Sequence, residues 1–115
     1  KNMFLKSLIA KIKSEDEIFL HGINGIKINP IHAIDVCKII DKSIIKKISG
    51  IFNLAGPQVL SIKDICIMIS KKLKKNPLFI IKEKSYNIVS SVNKLKKIYV
   101  PKITIDKKIN SIINW

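Results

Sequence analysis

Apolar positions along this chain follow two rhythms, one at helical spacing and one in short unbroken runs. In "MFLKSLIAKIK" the residues Phe4, Leu5, Leu8, Ile9 and Ile12 share one stripe, which predicts a first helix. The stretch from Ser14 to Glu17, mostly acidic, closes it or opens a loop. "EIFLHG" and "GIKINPI" predict two short strands around the turn sequence Gly22-Ile23-Asn24-Gly25, where either glycine can take a positive φ. Pro30 belongs at the end of the second strand, because it has no N–H for a ladder.

A second helix is predicted from Ala33 to Lys46 or Lys47, burying Val36, Ile39, Ile40 and Ile44. Asp35 in its first turn and Lys46-Lys47 in its last suit the helix dipole, and Ser49-Gly50 stops it. "IFNLA" reads as a short, almost wholly apolar strand of a covered sheet, ending in the turn Ala55-Gly56-Pro57. Ser61 and Asp64 fit a capping arrangement that satisfies free backbone N–H groups. They open a third helix with its stripe on Ile62, Ile65, Cys66, Ile69 and Leu73, ending near Lys74-Lys75-Asn76-Pro77. "LFIIK" predicts a strand and "YNIVSS" a weaker one. A helical turn from Asn93 to Lys97 leads to Pro101. The last helix, Ile105 to Trp115, buries Ile105, Ile109, Ile112 and Ile113. This alternation of short strands with about four amphipathic helices, without repeat, linker or domain boundary, predicts the α/β class.

Composition changes this picture little. The apolar fraction of 47% is enough for a folded core and argues against disorder. No apolar run is long enough to span a membrane, and the N-terminal stretch has no signal-peptide pattern. Position 1 is Lys, so a longer parent chain is expected. The net charge of +14 points toward nucleic acid or an anionic surface. Against that, all 22 basic residues are Lys and none is Arg, the residue that makes bidentate phosphate and guanine contacts. Ile, Lys and Asn make up about half of the chain, the bias of an AT-rich genome. The lysines are scattered, as on solvated helix faces. Cys37, Cys66, His21 and His32 show no metal-ligand spacing, so buried thiols in a reducing cytosol are expected.

The order of four motifs resembles the C-terminal part of the extended short-chain dehydrogenase/reductase family, the NAD(P)-dependent epimerases and dehydratases. "PIHAIDVCKII" (residues 30–40) carries His32 and Asp35 where that family opens a helix. "IFNLAGPQ" (51–58) resembles its strand and turn, "LSIKDICIMISKKLKKNP" (60–77) its next helix, and "SVNKLKKIYVPKITIDKKINSIINW" (91–115) its tail. The likeness covers roughly residues 15–115. It implies an α/β C-terminal lobe, residues 1–115 as one substrate-binding segment, with the Rossmann half absent. About 33–60 would pack against that missing nucleotide-binding domain.

The four glycines form no dinucleotide-binding turn, and neither Tyr86 nor Tyr99 is followed four residues on by the lysine of a Tyr-x-x-x-Lys pair. No residue here is therefore expected to be catalytic, cofactor-binding or metal-ligating. The resemblance implies NAD or NADP in a full-length enzyme, none bound by this segment alone, a nucleotide-sugar substrate, a homodimer and a cytoplasmic location. The alternative is a stand-alone basic α/β module that binds nucleic acid or anionic surfaces.

Four residues are candidates for substrate binding. Lys27 lies near the place where relatives carry an Arg for the substrate diphosphate; it offers a point charge without the planar fork, or a merely solvated side chain. Asn29 suits a sugar or nucleotide hydroxyl, or a turn beside Pro30. His32 matches a family position, where a half-buried histidine orienting the loop before the second helix is favoured over a ligand contact. Lys82, with Lys84, stands where the family carries a second phosphate-binding Arg. Asp35 is read as a helix-start carboxylate, and Asn53 and Gln58 as backbone-bonding residues of the Gly-Pro turn.

Overall fold

The computed structural model describes residues 4–114. The expected contributions of Met3 and Trp115 lie outside the described residues. Four helices and two small sheets follow in the order α1 (Phe4–Lys13), β1 (Glu17–His21), β2 (Lys27–Ile28), α2 (Ala33–Ile45), β3 (Leu60–Ser61), α3 (Ile62–Leu73), β4 (Leu78–Lys82), a 3₁₀ turn (Leu95–Lys97) and α4 (Ile105–Ile113). The class is mixed α/β, with four helices as expected. No helix among the described residues is long and apolar enough to cross a membrane.

The three helical stripes of α1, α3 and α4 meet as their spacing predicts. Leu8, Ile9 and Ile12 pack with Ile65, Cys66 and Ile69, and with Ile105, Ile109 and Ile112. The inward residues of β1, Ile18 and Leu20, cover the same core while Glu17, Phe19 and His21 face out. Each fully buried isoleucine, such as Ile65 or Ile69, contributes about 1.5–3 kcal/mol through removal of apolar surface from water. The Ser61/Asp64 capping box is present. The Ser61 Oγ accepts from the Asp64 N–H at 3.0 Å, and Asp64 Oδ2 accepts from the Ser61 N–H at 3.2 Å.

A second, smaller core lies elsewhere. Ile39 of α2 packs with Leu95, Ile98 and Tyr99, flanked by Ile31, Ile48 and Phe52. Here the expectation for α2 needs correction, because Ile40 and Ile44 are 50% and 70% exposed and the second fully buried residue is Asp35. The 3₁₀ turn and the loop at 48–52 are too small to cover a helix of 13 residues. Cys37 is likewise exposed on α2, whereas Cys66 is buried in α3. The helix ends at Ile45, and Lys47 takes a left-handed φ of 53° ahead of Ser49-Gly50. The Ile48 N–H then reaches back to the Ser43 carbonyl at 2.9 Å.

Strand pairing is mostly long-range. β1 pairs in parallel with β4, Ile18 opposite Phe79 and His21 opposite Lys82. β2 pairs antiparallel with β3, Lys27 opposite Ser61. The strands on either side of Gly22 and Gly25 therefore do not pair with each other. Both glycines adopt positive φ, 93° and 76°, and turn the chain out of β1 toward the start of α3. The expected strand at 51–55 is not formed, and Ile51 is 86% exposed. No strand among the described residues lies beside it to complete a ladder. "YNIVSS" shrinks to a single bridge between Ile88 and Ile28.

Candidate functional site

The four predicted residues fall into two groups. Lys27, Asn29 and His32 lie along the path from β2 to the start of α2, whereas Lys82 ends β4 beside His21. Lys27 is exposed, and its backbone runs beside the 87–88 segment. Its N–H donates to Asn87 Oδ1 at 2.9 Å, and its carbonyl accepts from the Ile88 N–H at 2.9 Å. The Asn29 carboxamide grips the backbone of Ser90, donating to its carbonyl at 2.7 Å and accepting from its N–H at 3.0 Å. One N–H and one lone pair of that carboxamide remain for another partner.

His32 is half-buried and caps α2. Its Nδ1 accepts from the Ile34 N–H at 3.0 Å, which leaves Nε2 carrying the proton in the neutral ring. The ring lines an apolar cavity of about 770 Å³ with Phe4 and Leu5 of α1 and Ile105 and Ile112 of α4.

Lys82 belongs to a different surface. Phe19 projects outward from β1 and is 48% exposed. The Lys82 Nζ sits 5.0 Å from its ring centroid and the Lys11 Nζ 5.9 Å. His21, Lys82 and Lys84 line a concavity of about 630 Å³ with Phe19. The His21 Nδ1 lies 3.3 Å from the Glu83 carbonyl, holding the loop after β4 against β1. An exposed aromatic ring with two ammonium groups beside it offers a stacking surface and positive charge for an anionic tail. Sequence reasoning missed Phe19, His21 and Lys11 here. An aromatic on the outward phase of an alternating strand was the available signal, but Lys11 comes from another element and Lys82 from β4, far away in sequence.

Two expectations for neighbouring residues change. Asp35 lies in the first turn of α2, yet its carboxylate is fully buried and bonds away from its own helix. Oδ1 accepts from the Tyr99 hydroxyl at 3.0 Å, and Oδ2 from the N–H groups of Lys102 and Ile103 at 3.1 and 2.9 Å. Burial, then the hydrogen bond and the negative charge of Asp35, push the Tyr99 phenol above its ordinary range. Gln58 Oε1 is buried without a partner among the described residues, so it makes no backbone bond.

This α/β arrangement is shared by solved enzymes that act on nucleotide-sugars, and the likeness runs along nearly the whole chain. The chain is similar to dTDP-glucose 4,6-dehydratase from Bacillus anthracis in complex with NAD, with TM-score 0.75 and 16% identity, over 98% of this chain and 38% of that one. It is similar to UDP-glucuronic acid 4-epimerase from Bacillus cereus, solved with UDP-glucuronic acid and NAD, with TM-score 0.80, 15% identity, and coverage of 98% and 39%. A third is UDP-glucose 4-epimerase from Thermus thermophilus in complex with NAD, with TM-score 0.73, 12% identity, and coverage of 96% and 38%. The chain thus spans less than half the length of each. At these identities the likeness establishes the fold. No family model matches the chain, and no curated protein matches it by sequence.

Proposed function

We propose that this chain is the C-terminal, substrate-binding part of an NAD(P)-dependent nucleotide-sugar epimerase or dehydratase of the extended short-chain dehydrogenase/reductase type. The observation that carries the reading is the fold likeness, along 98% of the chain, to an epimerase solved with both a nucleotide-sugar and NAD. The motif order in the sequence supports it independently. Residues 33–60 form the face that packs on the nucleotide-binding half, supported by the exposed Ile34, Ile40, Ile44, Ile51 and Leu54. The cofactor belongs to that half, and the whole enzyme is a homodimer in the cytoplasm.

Substrate binding falls to Lys27, Asn29, His32 and Lys82. On the Lys82 side the nucleotide base lies on Phe19, with Lys11 and Lys82 near its phosphates. The test is isothermal titration with UDP-, dTDP- and GDP-sugars and with a short RNA, at low and moderate salt. The expected result is selective binding of one nucleotide-sugar that survives added salt, weakened about tenfold or more in Phe19→Ala, in line with the worth of one stacked base. RNA binding that collapses with salt, without a nucleotide-sugar signal from this chain or from the full-length product of its gene, overturns the reading in favour of a basic module.

A further inference from the structure

We propose that the chain is built as two hinged bodies, and that the buried Asp35 carboxylate is the clasp that holds them closed. The two hydrophobic cores share no residue. One unites α1, β1, α3 and α4; the other unites α2 with the 3₁₀ turn and the loop at 48–52. The chain threads both. Residues 4–29 belong to the first body, 33–54 to the second, 60–88 to the first, 92–99 to the second and 105–114 to the first. Four crossings therefore join the bodies.

Three of these crossings are knotted together through the backbone. The Asn29 carbonyl accepts from the Gly56 N–H at 2.9 Å, and the Asn29 side chain pairs with both backbone groups of Ser90. Gly56 also lies directly against the Pro30 carbonyl, closer than any side chain permits. This knot is the axle. The Asp35 Oδ1 bond to the Tyr99 hydroxyl lies within the second body, and Oδ2 ties α2 to the fourth crossing, 99–105, through the N–H groups of Lys102 and Ile103.

Between the bodies lies the cavity of about 770 Å³, with Phe4, Leu5, Ile105 and Ile112 on one side and Ile34 and Val36 on the other. A cavity offers far less resistance to rotation than close-packed side chains. The width of this cleft is set by the clasp. Asp35 is thus a positioning residue, acting through the backbone of Lys102 and Ile103. The hinge requires no ligand and stands apart from the nucleotide-sugar reading.

The experiment is hydrogen–deuterium exchange with mass spectrometry on the wild-type chain and on Asp35→Asn, which keeps the shape but removes the charge and turns the acceptor facing the Tyr99 hydroxyl into a donor. The expected result is roughly ten- to hundredfold faster exchange in α2 and 99–104, the loss set by charge-assisted hydrogen bonds to a buried group. The amides of α1 and α3 keep their protection. Equal acceleration of α2 and α3 would mean one cooperative body, and unchanged exchange in α2 would mean no clasp; either overturns the proposal. Should Asp35→Asn fail to fold, the wild-type exchange is followed across sub-denaturing urea. A separate, lower-energy opening of α2 supports two bodies, and a single isotherm for α2 and α3 refutes them.

Discussion

Replacing Gly56 with alanine adds one methyl group where the backbone passes closest to another segment. A Cβ built there falls inside the van der Waals envelope of the Pro30 carbonyl oxygen, 2.7 Å from the Pro30 carbonyl carbon and 3.3 Å from the Ile31 Cα. All three are backbone atoms, so no side-chain rotation relieves the clash. The two segments must separate by more than an ångström, which breaks the 2.9 Å bond from the Gly56 N–H to the Asn29 carbonyl. Overpacking costs about 1–3 kcal/mol. The buried unpaired group adds about 1–3 kcal/mol. A total of about 2–6 kcal/mol takes a large share of the roughly 6–17 kcal/mol expected for a chain of this size. With a urea m-value of about 2 kcal/mol/M, the midpoint followed by far-ultraviolet circular dichroism falls by roughly 2 M.

Gly50→Ala is the control. Its added Cβ meets only the Phe52 ring, at 3.7 Å, and the cost is that of the positive φ of 118°, about 1–3 kcal/mol. A Gly56→Ala chain within about 1 kcal/mol of wild type, less than a single overpacked contact, would refute the close crossing and the axle built on it.

Other outcomes follow from the same structure. Cys37 is exposed, whereas burial pushes the Cys66 thiol up to about 11, so a disulfide reagent at pH 8 should label one thiol rapidly and the second only on unfolding. Two fast thiols would contradict the buried position of Cys66. The phenol of Tyr99 has its folded pKa raised above the unfolded value near 10, so its contribution is complete below about pH 10 and lost as pH rises through the folded value. The stability advantage of wild type over Tyr99→Phe should therefore shrink in alkali, measured by denaturant titration at each pH. An advantage that is constant with pH would remove the Asp35 contact as its source.

Much of the first body was legible in the chain. Stripes at three to four residues on α1, α3 and α4 need only helical geometry and the burial of isoleucine, and the Ser61/Asp64 box is local chemistry three residues apart. Patterning misled where the partner of an element could not be read. "IFNLA" has the composition of a covered strand, but a strand exists only when another lies beside it. Ile40 and Ile44 continue a proper helical stripe, but nothing among the described residues covers them. Of the candidate site, Lys27, Asn29, His32 and Lys82 could be named from motif positions. The pairing of Phe19 with Lys82 could not, since it depends on the parallel register of β1 with β4, and that with Lys11 depends on how α1 packs beside β1.

The sequence by itself determined the positions of the four helices, the capped start of α3 and the isoleucine-rich core, because these rest on contacts within a few residues or on a periodic apolar face. Tertiary structure alone decided which strands pair, that Asp35 is buried beneath Tyr99 and the 102–103 backbone, and that two cores are threaded by one chain. Those features join segments distant in sequence, from Lys27 opposite Ser61 to Asp35 beneath Tyr99 and Ile103. At such separations the hydrogen bond depends on how the whole chain closes, and no local pattern encodes that.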